Sequence, residues 1–194
     1  FAPEIALSVT LLVVLVADTF MAKERRWLAM PISFAGLLVS FGLLMTLSGQ
    51  SRTTFGGSFV VDGFAIPMKG FFLIAGMVVL LLSLRYLRDG VYHQGEFYFL
   101  LLCSLLGCLI MPSARDLITL FIAVELVSAP AFLMAAFSKG SLKSNEAGLK
   151  FFIFGVLSSA VMLYGMSLVY GLSHATTLSG IADGLSGAVG EQPA

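Results

Sequence analysis

Long apolar stretches separated by short polar connectors set the pattern of this chain. A helix needs about 20 apolar residues to cross a bilayer, and six stretches qualify or come close: Glu4 to Met21, Trp27 to Ser48, Phe64 to Tyr86, Glu96 to Met111, Asp116 to Phe137 and Asn145 to Tyr170. Pro67 falls in the first turn of the third stretch, where a missing N–H is tolerated. The fourth is short and predicts a helix that either stands upright or extends past Pro112. Ser144 reads as the N-cap of the sixth. The longest connector, Gly49 to Gly63, carries Gly56-Gly57 before alternating Phe59-Val60-Val61, the pattern of a small hairpin. After Tyr170 the chain is too polar to span, but Leu178, Ile181 and Leu185 recur at helical spacing and predict a short interfacial helix. The predicted fold class is therefore an all-α, polytopic membrane helix bundle with six transmembrane helices.

Composition agrees with this pattern. The 194 residues are 58% hydrophobic and 11% charged, against about 25% charged in an ordinary soluble domain. Formal net charge is zero, so a nucleic-acid partner is not implied and lipid is. Basic residues are distributed unevenly. Lys23, Arg25, Arg26, Arg85, Arg88, Lys139 and Lys143 lie at one end of the helices, and Arg52, Lys69 and Arg115 at the other. The positive-inside rule puts connectors 22–26, 85–95 and 138–145 on the cytoplasmic or matrix side and the N-terminus outside. Asp18 is expected at the interface. Position 1 is Phe rather than Met, which suggests a fragment, and the first apolar run is too long and lacks the basic leader of a signal peptide.

Candidate chemistry is sparse. Cys103 and Cys108 sit inside an apolar run at a spacing that matches neither a zinc nor a redox motif, and read as packing residues. His93 and His174 read as solvated. Phosphate loops, dinucleotide fingerprints and metal clusters do not appear, so no cofactor or metal is expected in this chain. Two ionisable residues stand out because charge is rare inside hydrocarbon: Glu125 in the fifth stretch and Lys150 in the sixth.

Glu125 lies about nine residues from one end of its stretch and about twelve from the other, near mid-bilayer at 1.5 Å per residue. It cannot reach water by snorkelling. Ser128 shares its face, Phe121 and Phe132 flank it, and Pro130 removes the helical donor of the Leu126 carbonyl. Such freed backbone is tolerated only beside protein or a hydrated cavity. Two readings stay open: a protonated carboxyl hydrogen-bonded across a helix interface, or a proton-binding site tuned by burial and a nearby cation. Lys150 lies about five residues into its stretch, within snorkelling reach, and Glu146 precedes it by one helical turn in the favourable order for an ion pair. Against that ordinary pairing stand Phe151, Phe152 and Phe154, and the small residues Gly155 and Ser159, which suit close helix packing. Unit charges about 12 Å apart interact by roughly 1.4 kcal/mol at an effective dielectric near 20, and by roughly 4 kcal/mol at about 4 Å. A small rearrangement of Glu125 and Lys150 would thus change proton affinity from about tenfold to about a thousandfold.

Three segments carry a family resemblance. They are Glu125-Leu126-x-Ser128-x-Pro130, Asn145-Glu146-Ala147-Gly148-Leu149-Lys150-Phe151-Phe152 and Leu163-Tyr164-Gly165-Met166-Ser167-Leu168-Val169-Tyr170-Gly171. From Glu96 to Gly171 the chain resembles the antiporter-like, proton-conducting membrane subunits of respiratory complex I, NADH:quinone oxidoreductase, and within them the subunit N branch. The resemblance implies an inverted-repeat bundle of about fourteen helices. Residues 1–95 would be three lead-in helices, 96–170 the first three helices of the first repeat, and 171–194 a polar loop toward a further helix. It implies proton-transfer roles for Glu125 and Lys150, with Ser128, Pro130 and Glu146 in support. It implies a proton-translocating subunit without a redox site of its own, with NADH, FMN, iron–sulfur clusters and quinone in partner subunits. The partners implied are other membrane-arm subunits, including the small three-helix subunit and a larger antiporter-like one. The membrane would be a bacterial inner or mitochondrial inner membrane. A subunit of a multi-subunit cation/proton antiporter is the alternative, and a purely structural membrane anchor is a third reading.

Overall fold

The computed structural model describes residues 1–20, 27–47, 49, 51–88 and 94–190. Connector residues Lys23 to Arg26 and His93 lie outside the described residues. The elements in chain order are α1 (Ala2–Phe20), α2 (Ala29–Thr46), β1 (Arg52–Thr54), β2 (Phe59–Val61), α3 (Ala65–Arg88), α4 (Gln94–Ile110), α5 (Leu117–Ala135), α6 (Leu142–Ser173) and α7 (Leu178–Gly190). Among the described residues, α1 to α6 are each long and apolar enough to cross a membrane.

Leucine spacing explains the packing. Leu7, Leu11 and Val14 of α1, Leu73, Leu80 and Leu87 of α3, and Tyr98, Leu102, Leu105 and Leu109 of α4 recur at three-, four- or seven-residue intervals and are buried together. α4 is central: it packs on α1, α2, α3 and α5. α6, by contrast, buries only Gly148 and Ser173 along its 32 residues. The fourth stretch resolves its ambiguity by extension, since a 3-10 turn at Met111–Ser113 with Pro112 in its start follows α4.

The predicted hairpin is present. β1 and β2 pair antiparallel with Arg52 opposite Val61 and Thr54 opposite Phe59. Gly56 and Gly57 in the turn hold φ values of 64° and 97°, the left-handed region that glycine enters without a Cβ clash. Asp62 then caps α3, its Oδ1 accepting from the backbone N–H groups of Phe64 at 3.0 Å and Ala65 at 2.8 Å. The predicted interfacial helix is α7, with Ile181 buried and Leu178 and Leu185 more exposed.

One cap differs from expectation. Ser141, not Ser144, is the N-cap of α6. The Ser144 hydroxyl instead donates to the Ala135 carbonyl at 3.0 Å, joining the start of α6 to the end of α5. α6 therefore begins three residues before the apolar run, and its far end closes on exposed His174 at φ 53°.

Candidate functional site: the buried carboxyl of α5 and its surroundings

α5 starts on Asp116, whose Oδ2 accepts from the N–H groups of Ile118 at 3.0 Å and Thr119 at 3.1 Å. That fixed start puts Glu125 at the ninth residue of a 19-residue helix, next to its midpoint. Glu125 is half-buried, and its Oε1 is out of solvent with no hydrogen-bond partner. A buried oxygen without a donor is costly unless a proton or ordered water satisfies it. α4 comes close to α5 around this residue. A Cβ on Gly107 would lie 2.7 Å from the Ala123 carbonyl oxygen and 2.9 Å from the Val127 nitrogen. The Ser104 hydroxyl donates across the same contact to the Val127 carbonyl at 3.2 Å. Small residues on α4 thus let two backbones meet on either side of the carboxyl in sequence.

The supporting residues divide. Ser128 does not serve Glu125: its hydroxyl donates to the Val124 carbonyl at 2.8 Å. Pro130 is buried inside α5 and leaves the helix continuous. Ser128 also lines a cleft of about 340 Å³ between α5 and α6. Val124, Phe132, Gly155, Ser158 and Ser159 line it too, so the small residues expected on α6 do face α5. A Cβ on Gly155 would strike the Phe132 ring, and one on Gly148 the Ala136 side chain. Phe132 stands edge-on to Phe151, ring centroids 4.7 Å apart.

Lys150 is the ninth residue of α6 and is ion-paired with Glu146. Both side chains are about two-thirds exposed, at 66% and 63%. The structure thus brings Lys150 to Glu146 and does not pair it with Glu125.

Sequence reasoning missed a buried ion pair. Lys69 Nζ of α3 lies 2.6 Å from Glu4 Oε1 of α1, and both side chains are 1% exposed. The Phe59 ring covers the ammonium, its centroid 4.6 Å from Nζ. By sequence alone Lys69 reads as an ordinary flanking cation. The available signal was spacing: Glu4 continues the Leu7, Leu11, Val14 stripe, and Lys69 the Leu73, Leu80, Leu87 stripe. Asp18 stands two residues before the end of α1 and packs against Gly95 in the first turn of α4, with Oδ1 buried and unpartnered. Cys103 and Cys108 are free and half-buried.

Residues 114–192 match the family model described as NADH:quinone oxidoreductase/Mrp antiporter, TM. The chain is 40% identical over 188 residues to NADH-quinone oxidoreductase subunit N of Rhodospirillum rubrum, covering 93% of this chain and 37% of that protein. It is 38% identical over 180 residues to subunit N of Acidithiobacillus ferrooxidans, with the same coverage. Its fold matches a chain of respiratory complex I from Thermus thermophilus with bound aureothin at a TM-score of 0.75 and 24% identity, covering 91% of this chain and 38% of that one. It also matches a chain of the archaeal membrane-bound sulfane sulfur reductase at a TM-score of 0.79 and 18% identity, covering 93% and 38%. The chain spans a little over a third of the length of the relatives it matches. With six apolar helices in the same arrangement and the glutamate helix inside the matched segment, the chain belongs to the NADH:quinone oxidoreductase/Mrp antiporter family of membrane subunits.

Proposed function

We propose that this chain is part of a membrane-arm subunit of a proton-translocating NADH:quinone oxidoreductase, and that Glu125 takes up and releases protons within it. The observation that carries this is Glu125 itself: a carboxyl near the midpoint of a membrane-spanning helix, with one oxygen buried and unpartnered. An ionisable group at that depth persists where it serves transport. Lys150 is the second group. Its ammonium is held by Glu146, one turn away on the same helix. Moving it from Glu146 toward α5 would bring a positive charge toward the Glu125 carboxyl across the cleft between the two helices. Ser128, Ser158 and Ser159 offer hydroxyls to water in the α5–α6 cleft. NADH, flavin, iron–sulfur clusters and quinone belong in this reading to partner subunits, and other membrane-arm subunits are the immediate neighbours. The excess of basic residues in connectors 22–26, 85–95 and 138–145 supports a cytoplasmic or matrix location for them, and an outer location for the hairpin.

Glu125→Gln in the assembled complex tests the proposal. The variant keeps the shape of the side chain and removes its proton. NADH-driven proton transport into vesicles should fall severalfold with the complex still assembled. Unchanged transport would overturn the proposal. Transport that requires sodium or potassium, without NADH oxidation, would instead identify a cation/proton antiporter, which the same family model covers.

A further inference from the structure

The end of the bundle opposite the hairpin carries an open groove that the Glu125 site does not use. It has a volume of about 880 Å³ and lies where α2 begins, α3 ends and α4 begins. Met30 in the first turn of α2, Leu84 in the last turns of α3 and Tyr98, the fifth residue of α4, give it an apolar lining. Its polar lining is Trp27, Arg85 and Gln94. Trp27 precedes α2 by two residues, Arg85 lies three residues before the end of α3, and Gln94 starts α4. All three therefore stand at helix ends, where a span meets the headgroup layer. Trp27 is 63% exposed, and an indole favours that layer. These polar groups are rich in donors: a guanidinium and an indole donate only, and a carboxamide donates twice. Among the described residues no carboxylate lines the groove, and exposed Arg85 makes no ion pair. Glu96 at this end is taken by Lys139 at 2.9 Å, and Asp18 packs on Gly95 from α1. α2 starts without a side-chain cap and without an acid in its first turn, so its positive dipole end adds to the cationic character.

We propose that this groove binds one anionic phospholipid, its phosphate on Arg85 and Gln94 beside Trp27 and an acyl chain along Met30, Leu84 and Tyr98. A guanidinium engages a phosphodiester through two parallel N–H···O bonds. A chain of methylenes covers the apolar lining, which water would leave wetted. The volume suits such an occupant, since sites for small molecules run to about 300–1,000 Å³. The sign of the charge selects the headgroup. A zwitterionic lipid offers the same phosphate, but its ammonium meets a guanidinium and no carboxylate. An anionic headgroup brings no such conflict, and basic pockets between helices at the cytoplasmic surface take anionic headgroups for this reason. A lipid held here ties together the three helix ends that converge on it. Under the orientation proposed for the chain, the groove opens to the cytoplasmic or matrix leaflet. Binding itself requires neither that orientation nor a proton-transfer role for Glu125.

Photolabelling of the intact complex in phosphatidylcholine vesicles tests the site. Each preparation carries a trace of either phosphatidylglycerol or phosphatidylcholine with a diazirine near the glycerol end of one acyl chain, and labelled peptides are mapped by mass spectrometry. In the wild type, phosphatidylglycerol should label Met30 and Tyr98 about fivefold more than phosphatidylcholine does, the ratio that one cation near a membrane surface supplies. Arg85→Gln should bring the ratio to about one, and Arg85→Lys should keep part of it. Arg85 is exposed, so these variants leave the packed core intact. Leu84→Trp, which fills the groove, should remove labelling of Tyr98 by both lipids. Phe20, 83% exposed near the same end of α1, reports general contact with lipid and should show no such ratio. Equal labelling of Met30 and Tyr98 by the two lipids, or a preference that persists in Arg85→Gln, would overturn the proposal. So would an equal preference at Phe20, which would reveal only a general attraction of this end for anions. Each of these readings is independent of transport in Glu125→Gln, so the two proposals fail separately.

Discussion

Gly107 and Gly42 form a matched pair of substitutions, because the same added methyl meets opposite surroundings. At Gly107 it meets the backbone of α5 at Ala123 and Val127, which cannot rotate away; at Gly42 it meets nothing within 4 Å. Gly107→Ala should therefore cost about 1–3 kcal/mol of stability through overpacking. Gly42→Ala should be neutral, or stabilising by up to about 1 kcal/mol through helix propensity. Thermal unfolding in detergent compares the two, and equal midpoints would show that α4 and α5 do not meet as closely as described. Residues of this kind also mark what a sequence reveals. Glu125 is legible because a lone carboxylate between Val124 and Leu126 interrupts an unbroken apolar run. Glu4 and Lys69 are not, because each stands near a helix end, where charge is ordinarily solvated. Their partnership spans 65 residues that no local pattern connects. Lys150 shows the reverse: the ordinary i, i+4 pairing with Glu146, open in the sequence beside a buried role, is the contact the structure contains.

Among elements, α3 is tied to α5 at their N-termini. Asp62 caps α3 through Phe64 and Ala65 and also pairs with Arg115, which precedes the α5 cap Asp116. The Ala65 N–H holds the Asp62 carboxyl below its ordinary value of 3.8; burial, the next-largest effect, opposes it, and the Phe64 N–H and the Arg115 guanidinium add to the lowering. A carboxyl whose folded pKa is depressed stabilises the fold above its unfolded value and loses that contribution as pH falls through the folded one. The tie should therefore be constant from neutral pH down to about 4 and weaken below it. In Asp62→Asn this part of the acid-side loss should disappear. Thermal midpoints measured across that window check the outcome, and an identical acid-side slope in wild type and variant would refute it. The helices themselves were legible from their apolar runs, which the bilayer dictates. Their ends were less so. Ser141 precedes α6 and Ser144 lies in its first turn, and the apolar pattern begins only after the second. The first turn, Leu142 to Asn145, is held by a cap rather than by burial, so hydropathy could not reveal it.

At the scale of the molecule, the hairpin end is a continuous hydrogen-bonded cover rather than a set of separate loops. Phe59 of β2 bridges Ala114, and the Arg115 N–H donates to the Ser58 carbonyl at 2.9 Å. The Leu117 N–H donates to the Thr176 carbonyl and the Leu178 N–H to the Arg115 carbonyl, each at 2.9 Å, with Asp116 bridging Thr177. The segment 114–117 is thus the middle strand of a short three-part ladder. It joins the hairpin over Glu4 and Lys69 to the α6–α7 turn, and it also starts the helix that carries Glu125. This arrangement pairs residues more than 50 positions apart, which is why the hairpin and α7 were each foreseeable while the link between them was not. Phe59 seats the cover: it is 3% exposed and stacks on Lys69. Truncation of a buried phenylalanine typically costs about 3–5 kcal/mol. If the cover opens as one cooperative unit, Phe59→Ala should accelerate hydrogen exchange at the amides of Arg115, Leu117 and Leu178 by a common factor. Amides in the middle of α3 should be unaffected. Faster exchange at Arg115 alone, with Leu117 and Leu178 still protected, would mean that the hairpin and the α6–α7 turn open independently.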